Sequence, residues 1–424
     1  MTRRRSSFLP AELHGPLLAG VAVFVAAWLF VCLVPAFSVW LYGDVRFYEN
    51  WGTVMANHAV PYRDFRIEYP PGALVTFIIP SYLRKLAGYH GTYYVWFRVE
   101  LLVIGVASLA VIACALAQLG ASRRRAYAAL SVAGVAPALL GPIAFSRYDY
   151  WPALLAVAAV AALAARRPML ACGLAAAGAA TKVYPALFIP LALIELWRAR
   201  GARGAAQGAA LAVAVAAAIS APFVAIAPHG FAWALHRQVV RPLQVESLGA
   251  VLFAAAHHLF GVHLHVVKRA GSDNLIGSGP DVAASLSGVA TLVALLAVYW
   301  LYARRGRTRE QLVIACVAAV TAYIAFSKVF SPQYLVWLIP LVPLVGGRRG
   351  IRAGVLLLVL LGLTQIWEPY RYGEYFTSFP GWITALVLAR DLLVVLLLAV
   401  LLWPPDSDSG GDADERDRGR AAVV

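Results

Sequence analysis

The chain has 424 residues, of which 61% are hydrophobic and only 13% charged, and its formal net charge is +15. Soluble domains are about half apolar and a quarter charged, so this composition excludes an ordinary soluble domain. The basic residues stand in short clusters between apolar runs, which argues against a nucleic-acid-binding surface and is typical of a membrane protein. Because the bilayer core leaves the backbone no partners outside helices or closed barrels, and no series of short alternating strands is seen, we predict an all-α polytopic membrane protein.

The chain begins with a basic segment, residues 1–15, which its arginines place in the cytoplasm. The apolar run at about 16–37 is too long for a signal peptide and is predicted to be a retained first span. An outer loop at 38–92 follows and is rich in charge, aromatic rings and proline. Residues 71–88 within it are apolar, but a full crossing would invert every later loop. We therefore predict a short juxtamembrane or re-entrant helix there.

The alternation of basic and non-basic loops predicts eleven further spans, twelve in all, with both ends in the cytoplasm. They cover about 93–118, 126–145, 150–165, 168–181, 183–197, 206–227, 282–303, 311–327, 331–346, 350–367 and 380–402. The predicted organisation is a transmembrane module at 16–230, an outer loop with a juxtamembrane helix at 231–281, C-terminal helices at 282–403 and a disordered acidic cytoplasmic tail at 404–424.

Nearly all unusual side chains fall on the predicted outer side. Asp44 lies a few residues past the first span, where an acid is costly unless it faces a wet cavity or a partner. One interpretation is a salt bridge to Arg46 or Arg147 that tethers the loop. The other is a general base whose pKa is raised in a partly dry pocket. Residue types alone do not separate the two.

Other outer charges have similar pairs of interpretations. Arg147 and Asp149 in "SRYDYWP" form either an ion pair at the mouth of two spans or, for Asp149, a group that orients a substrate hydroxyl. Lys182 and Lys328 either extend to the interface or bind an anion, such as the phosphate of a lipid, because positive charge is disfavoured on the outer side. Glu246 is either a solvated loop charge or, together with the nearby cations, an acid or part of a phosphate-binding cluster at the rim of a pocket.

Aromatic and histidine residues give weaker signals. Tyrosines at span ends form an aromatic belt by default, although Tyr48 and Tyr69 of the first loop could stack on a sugar. Four histidines lack companion acids or cysteines and are predicted to be structural: His257, His258, His263 and His265. The four cysteines lie in apolar runs and are predicted to be small core residues. No Walker loop or dinucleotide-binding motif is present, and triplets of the DxD type occur only in the acidic tail, where they are predicted to be disordered.

Taken together, these segments resemble the GT-C superfamily of membrane glycosyltransferases. Within it they are most similar to the polyprenyl-phosphate-mannose-dependent mannosyltransferases of actinobacteria, in glycosyltransferase family 87, which includes enzymes that elongate phosphatidylinositol mannosides. The matching segments, over roughly residues 40–345, are "GDVRFYENW", "VPYRDFRIEYPPG", "RYDYWPALLA", "TKVYPALFIP", "QVESLGA" and "KVFSPQYLVWLIPL".

The resemblance implies a module of seven spans with juxtamembrane helices in a long first outer loop. It also implies inverting transfer of a sugar, usually mannose, from a lipid phosphate without a nucleotide or metal cofactor. Asp44 matches the family's catalytic base. The predicted side of the membrane and the charge of each residue add further candidates. Those for binding the donor phosphate are Lys182, Lys328, Arg147 and Arg241. Those for binding substrate are Asp149, Glu246, Tyr48, Tyr69, Tyr184 and Gln333.

The expected partners are a polyprenyl-phosphate sugar, a lipid or glycan acceptor and membrane lipids, with no nucleic acid, and the active site is expected on the extracytoplasmic side of the cell membrane. An arabinofuranosyl- or glucosyltransferase of similar architecture is an alternative. A lipid-linked sugar transporter is another, although the internal repeats and midplane sites that transporters often have are not evident. A relative that only binds lipid-linked sugar ranks last, because Asp44 is present.

Overall fold

The computed structural model describes residues 9–38, 43–269 and 271–403, so the basic terminus is covered only in part and the predicted acidic tail lies outside the described residues. The described chain is mostly helical. Its α-helices are α1 (His14–Leu33), α2 (Pro35–Ser38), α3 (Val45–Ala56), α4 (Leu74–Leu86), α5 (Tyr93–Gln118), α6 (Arg123–Leu140), α7 (Pro142–Phe145), α8 (Tyr150–Ala164), α9 (Pro168–Ala179), α10 (Ile189–Ile226), α11 (Pro228–Val239), α12 (Leu248–Phe260), α13 (Ser278–Arg305), α14 (Arg309–Phe326), α15 (Gly347–Trp367), α16 (Tyr372–Ser378) and α17 (Gly381–Leu402). Short 3-10 helices cover Ala11–Leu13, Pro71–Ala73, Tyr184–Phe188, Pro332–Trp337 and Val342–Leu344.

Seven helices among the described residues are long and apolar enough to cross a membrane, which agrees with the predicted helical membrane protein. They are Ala11–Leu33, Tyr93–Gln118, Tyr184–Ile226, Ser278–Arg305, Arg309–Phe326, Gly347–Trp367 and Gly381–Leu402. The count of twelve is not confirmed. The predicted spans at 150–165 and 168–181 correspond to α8 and α9, which have 15 and 12 residues. Helices of that length fall short of the ~30 Å apolar core.

The predicted spans at 183–197 and 206–227 are joined in the structure. A 3-10 turn leads into α10, which continues through the basic segment between them. Gly201 breaks the helix there with φ 64° and ψ −159°. Glycine adopts this backbone conformation readily because it has no Cβ. The predicted turn is therefore a sharp break within one helical segment.

The prediction of a membrane-spanning α-helix at 331–346 is wrong. It consists of the 3-10 helices Pro332–Trp337 and Val342–Leu344, with irregular backbone between them. Three prolines explain this, because proline lacks the N–H needed inside an α-helix and its ring clashes with the preceding turn. The segment is almost entirely buried. Non-helical backbone at membrane depth is tolerated where surrounding protein covers it.

The all-α prediction is also wrong in the outer segment 231–281, which contains a small antiparallel sheet in addition to α11 and α12. Its strands are β1 (Leu243–Gln244), β2 (His265–Arg269) and β3 (Ser272–Ile276), in the order β1-β3-β2. Leu275 of β3 pairs with Leu243 on one side and with Val266 on the other. Strands of two to five residues are too short to show a clear period-2 pattern.

The segment predicted to be the first outer loop contains α3 and α4, which pack closely against each other. A helix lies where residues 71–88 predict one, but its 13 residues span only about 20 Å, too little for a crossing. Buried Gly52 of α3 permits the close approach, since a Cβ there would lie 1.9 Å from the Phe77 carbonyl oxygen. The packing holds the start of α3, and with it Asp44, against the rest of the protein.

Buried apolar side chains form two clusters. The first extends through α1, α5, α6, α8 and α14, and it also includes Phe330 and the 3-10 residue Trp337. The second is smaller and joins β1, α12, α16 and α17 around Trp367. The guanidinium of Arg390 lies close to both clusters, 4.0 Å from the ring centroid of Phe330 in the first and 5.7 Å from that of Trp367 in the second.

Candidate functional site

A group of charged side chains, some buried and some partly buried, includes Arg390, which lies close to both apolar clusters. Ion pairs, hydrogen bonds and electrostatic interactions connect them into one group. We call it the charged cluster, and it comprises Asp44, Arg147, Asp149, Lys182, Arg241, Glu246, Glu368, Arg390 and Asp391. Burying charge is expensive unless the charges are paired. So many ionisable groups in an apolar protein therefore indicate a functional site.

Asp44 stands immediately before α3, and its side chain forms no hydrogen bond with that helix. One carboxylate oxygen, Oδ2, lies 3.2 Å from Nε of Arg147. The N–H of Nε is not directed for a hydrogen bond, whereas Nη1 donates to the carbonyl oxygen of Ser146. Asp44 is 36% exposed, so its carboxylate can reach a substrate while it stays beside a cation. The sequence alternatives of a salt bridge and a base are thus compatible.

Arg147 is held charged at this position. Burial lowers its pKa, but opposing interactions, of which the one with Asp44 is the largest, outweigh burial and raise it. The arrangement therefore places a carboxyl group directly beside a permanently charged guanidinium.

Tyr48 and Tyr69 lie behind this pair in an aromatic group. The Tyr48 ring stacks on Phe77 with ring centroids 4.4 Å apart, and the Tyr69 ring meets Tyr148 edge-on at 5.2 Å. The two hydroxyl oxygens of Tyr48 and Tyr69 are 3.5 Å apart. Burial raises the pKa of both phenols, so they stay neutral. Tyr48 is fully buried, and its ring packs within the protein.

Asp149 and Lys182 form a second buried ion pair. Nζ of Lys182 lies 2.6 Å from Oδ1 of Asp149, which also accepts a 2.6 Å hydrogen bond from Nε1 of Trp337. The ammonium group also lies 5.0–5.3 Å from the ring centroids of Tyr148, Tyr334 and Trp337. Burial lowers the pKa of Lys182, and Asp149 opposes this shift. The cation is thus held in an aromatic cage.

The other predicted phosphate-binding cations lie in the same region. Arg241 is close enough to lower the pKa of both Lys182 and Lys328, after the larger effect of burial on each. Arg147 also lowers the pKa of Lys182. Nζ of Lys328 donates to the Val239 carbonyl oxygen at 3.0 Å. Arg147 and Arg241 therefore both act on Lys182, and Arg241 links Lys328 to the same group.

Two predicted substrate-binding residues lie on the 3-10 segments that flank this region. The Tyr184 ring stacks on Trp337, with the ring centroids 4.0 Å apart, and is fully buried. Gln333 is half-buried on the 3-10 helix Pro332–Trp337. Tyr184 therefore contributes to the wall of the aromatic cage through Trp337.

Glu246 belongs to a second part of the charged cluster. Its Oε2 accepts a 2.6 Å hydrogen bond from Nε2 of Gln244, and its backbone carbonyl accepts from Arg390. Nε of Arg390 donates to Oδ1 of Asp391 at 2.9 Å. Burial, followed by the nearby carboxyl group of Glu368, raises the pKa of Glu246 well above its ordinary value. Glu246 is thus a buried carboxyl group and not a solvated loop charge.

Sequence reasoning missed three members of the charged cluster. Arg390 and Asp391 stand inside the apolar α17, and two adjacent charges in an otherwise apolar span were a signal that could have found them. Glu368 follows α15 in a loop rich in polar residues, where the sequence does not distinguish it from Glu374. The structure does, because Glu368 is 7% exposed and burial raises its pKa to about 8, although Arg147 opposes this shift.

Several buried polar atoms of the charged cluster have no hydrogen-bond partner among the described residues. They are Nε of Arg147, Oδ2 of Asp149, Oε1 of Glu246, Oε2 of Glu368, Nη1 of Arg390 and Oδ2 of Asp391. Each such atom costs ~1–3 kcal/mol, and more when it is charged. Native proteins leave few of them, so their concentration here indicates where a polar ligand binds.

The hydrogen bonds of His257 and His258 do not involve the charged cluster. Nδ1 of His257 donates to the Val262 carbonyl oxygen, and Nε2 of His258 donates to that of Phe379. The described residues contain no group of three or more potential ligands placed to hold a metal ion.

The geometry combines the carboxyl group of Asp44 with several cations and unsatisfied polar groups. Such a site suits proton transfer from a hydroxyl group and stabilisation of a departing anion. A search among curated proteins found no match. Residues 67–332, more than half of the chain, match glycosyltransferase family 87, and Asp44, Glu368 and Arg390 lie outside the matched residues. The chain therefore belongs to glycosyltransferase family 87.

Proposed function

We propose that this membrane glycosyltransferase transfers a sugar, in the first instance mannose, from a polyprenyl-phosphate donor to a hydroxyl group of a lipid or glycan acceptor. The reaction inverts the anomeric centre and takes place at the extracytoplasmic face of the membrane. The observation that carries the proposal is the placement of Asp44 beside Arg147, next to the group of cations around Lys182.

In the proposed reaction, the acceptor oxygen attacks the anomeric carbon from the side opposite the phosphate. The carbon–oxygen bond to the phosphate breaks, and the phosphate keeps the electron pair. The proton of the acceptor hydroxyl passes to the carboxylate of Asp44. A general base of this kind contributes about 10²–10⁴-fold to the rate.

The leaving phosphate is proposed to meet Lys182, Arg241 and Lys328. Cationic groups that already face the developing charge stabilise the transition state without reorganisation, and a dry site strengthens their effect. Because a phosphate leaves as an anion without being protonated, we expect no need for a separate general acid. We likewise propose that the reaction uses no metal cofactor, so that transfer should persist in EDTA.

The test is sugar transfer in membranes from radiolabelled polyprenyl-phosphate mannose, with wild type beside Asp44→Asn at equal expression. Asparagine keeps the size but cannot accept the proton, so we expect a loss of about 100-fold or more. Asp64→Asn is the matched control, because Asp64 lies in the same loop and is as exposed as Asp44, at 37% against 36%, but pairs with Arg63 and is not part of the charged cluster. It should retain transfer within about 2-fold, as is usual for an exposed pair.

Each outcome has a defined meaning. Equal transfer by wild type and Asp44→Asn would remove Asp44 from the role of base. Wild-type transfer of arabinofuranose or glucose, but not of mannose, would correct the sugar and keep the mechanism. No transfer of any lipid-linked sugar, together with movement of the lipid across the bilayer, would replace the proposed enzyme with a transporter.

A further inference from the structure

Four residues of the charged cluster take no part in the proton transfer or the phosphate binding proposed above. We call them the carboxylate arm: Glu246, Glu368, Arg390 and Asp391. They come from three separate segments, namely the turn after β1, the end of α15 and the middle of α17. All four are more than nine-tenths buried. Charges of this kind are retained in an apolar protein only where they are paired or have a function.

Arg390 is held firmly at the centre of this arm. Its Nη2 lies 2.8 Å from Oδ1 of Asp391, and it donates to the backbone carbonyl of Glu246. The guanidinium lies 4.0 Å from the ring centroid of Phe330 and 5.7 Å from that of Trp367. Its side chain is 0% exposed, yet Nη1 has no partner among the described residues. The guanidinium is thus fixed in place with one donor nitrogen unsatisfied.

Glu368 connects the arm to the proposed catalytic base. Glu368 directly follows Trp367, whose ring centroid lies 5.7 Å from the Arg390 guanidinium. The charges of Arg147, Arg390 and Asp44 each affect the pKa of the Glu368 carboxyl group, and Glu368 in turn raises the pKa of Glu246. Oε2 of Glu368 and Oε1 of Glu246 have no partner in the described part of the chain. The arm therefore offers both donors and acceptors next to Asp44.

This combination selects a class of ligand. Burial raises the pKa of Glu246 and Glu368 and favours their neutral forms, and Arg390 is already paired with Asp391, so the arm offers little net positive charge to a phosphate. A divalent cation would be repelled by Arg390 and Arg147, and no metal-binding group is found among the described residues. A sugar hydroxyl group both donates and accepts hydrogen bonds, so neighbouring hydroxyl groups match alternating acceptors and donors. Sugar hydroxyl groups are therefore the ligand chemistry that matches the unsatisfied donors and acceptors of the arm.

We propose that Glu368, Arg390 and Glu246 bind hydroxyl groups of the transferred sugar ring and thereby determine which sugar the enzyme accepts; this inference rests on the function proposed above. Arg147 is close both to Lys182 and to Glu368. A sugar beside Arg147 can therefore hold its phosphate toward the cations while its hydroxyl groups face the arm. Asp391 fixes Arg390 and acts as a positioning residue.

The test compares Glu368→Gln with wild type, using the natural lipid-linked sugar and donors that lack one ring hydroxyl group each. Glutamine keeps the shape of the side chain but replaces the hydroxyl of the neutral carboxyl group, which can donate and accept, with an amide N–H. We expect transfer of the natural sugar to fall by about 3–10-fold in kcat/KM, as for the loss of one hydrogen bond in a buried site. For one deoxy donor the variant and wild type should be nearly equal, because the bond is already absent.

Glu374→Gln is the matched control, since Glu374 lies in the same outer loop but is 40% exposed and pairs with Arg371. It should behave as wild type with every donor. If Glu368→Gln does not fold, Arg390→Lys keeps the charge, removes the planar fork and should show the same selective loss with a donor lacking one hydroxyl group.

Two results would overturn the inference. One is an equal loss by Glu368→Gln across the natural sugar and every deoxy donor, which indicates a structural role. The other is no loss at all. Either result leaves the proposed function standing as long as wild type transfers sugar and Asp44→Asn does not. Failure of wild type to transfer any sugar overturns both proposals.

Discussion

Asp149 and Lys182 come from different segments, and each is left with an uncompensated buried charge if the other is removed. Breaking such a pair costs about 3–5 kcal/mol. We expect Asp149→Asn to lower thermal stability in detergent strongly at pH 6 and less at pH 9. Burial already lowers the pKa of Lys182, and loss of Asp149 removes the main opposing effect. The lysine can therefore lose its proton at the higher pH.

Scanning fluorimetry of the single variants, Lys182→Met and the double variant measures this coupling. The double variant should be more stable than Asp149→Asn alone, because no unpaired charge remains. Equal unfolding temperatures for wild type and Asp149→Asn at both pH values would contradict the expected coupling.

The buried carboxyl group of Glu368 leads us to expect a second pH dependence of the protein's stability. Burial raises its pKa from 4.5 to about 8 in the folded protein, although Arg147 opposes this shift. The folded state then holds a proton between these pH values that the unfolded state has released, so stability falls as pH rises. The contribution is complete below about pH 4.5 and is lost as pH approaches 8. Glu368→Gln should remove this slope from the unfolding temperature between pH 5 and 8, whereas Glu374→Gln should keep it.

Individual site residues could be predicted from the sequence where a charged side chain stands among apolar neighbours. Asp44, Asp149 and Lys182 stand at the ends of apolar runs, so their cost could be inferred without coordinates. Arg390 gave the same signal inside α17. Glu368 gave none, because only the packing of α16 and α17 distinguishes it from an ordinary loop acid.

Helices α3 and α4 show how an element positions the proposed base. Gly52→Ala would place a methyl group against the Phe77 carbonyl, which is backbone and cannot turn away. We expect a loss of about 1–3 kcal/mol from overpacking, together with reduced sugar transfer because the start of α3 moves. Gly362→Ala in α15 is the control. A Cβ there meets nothing within 4 Å, so the helix should gain up to about 1 kcal/mol.

Thermal unfolding and transfer assays on the two glycine variants check this prediction together. A Gly52→Ala protein with wild-type stability and activity would mean that α3 and α4 can separate without disturbing Asp44.

Long elements could be predicted, whereas irregular ones could not. The apolar runs at 93–118, 282–303 and 350–367 correspond closely to α5, α13 and α15, because a helix that spans lipid must be long and apolar. The segment 331–346 met the same criterion but is a proline-broken 3-10 segment covered by protein. The sheet was missed because its strands are short and rest on tertiary pairing.

The whole molecule has two chemically different ends. At one end, Arg125 contacts Glu310 and the Leu344 carbonyl, and Arg309 donates to the Gln118 carbonyl. These contacts bring together the end of α5 and the starts of α6, α14 and α15. They are the loops that the charge pattern placed in the cytoplasm. The charged cluster draws on the opposite set of loops, before α3 and α8 and after α9 and α15.

This polarity predicts a labelling pattern that tests the side on which the proposed site lies. Single cysteines replace exposed residues in a variant that lacks Cys32, Cys114, Cys172 and Cys316. In intact cells, a membrane-impermeant thiol reagent should label Arg63→Cys and Glu374→Cys. It should label Arg124→Cys and Arg305→Cys only after the membrane is permeabilised. Basic residues are strongly retained on the cytoplasmic side during insertion, which is why the last two are expected to be protected.

The inverse pattern would place the charged cluster at the cytoplasmic face and remove the extracytoplasmic reaction from the proposal. Labelling of Arg63→Cys without Glu374→Cys in intact cells would mean that the number of crossings between them is odd. Glu368 and Asp44 could then not share a site, since Glu374 follows Glu368 closely and Arg63 belongs to the same outer loop as Asp44. The contact between Asp44 and Arg147, together with the electrostatic interaction of both with Glu368, requires only that the two positions be labelled from the same side.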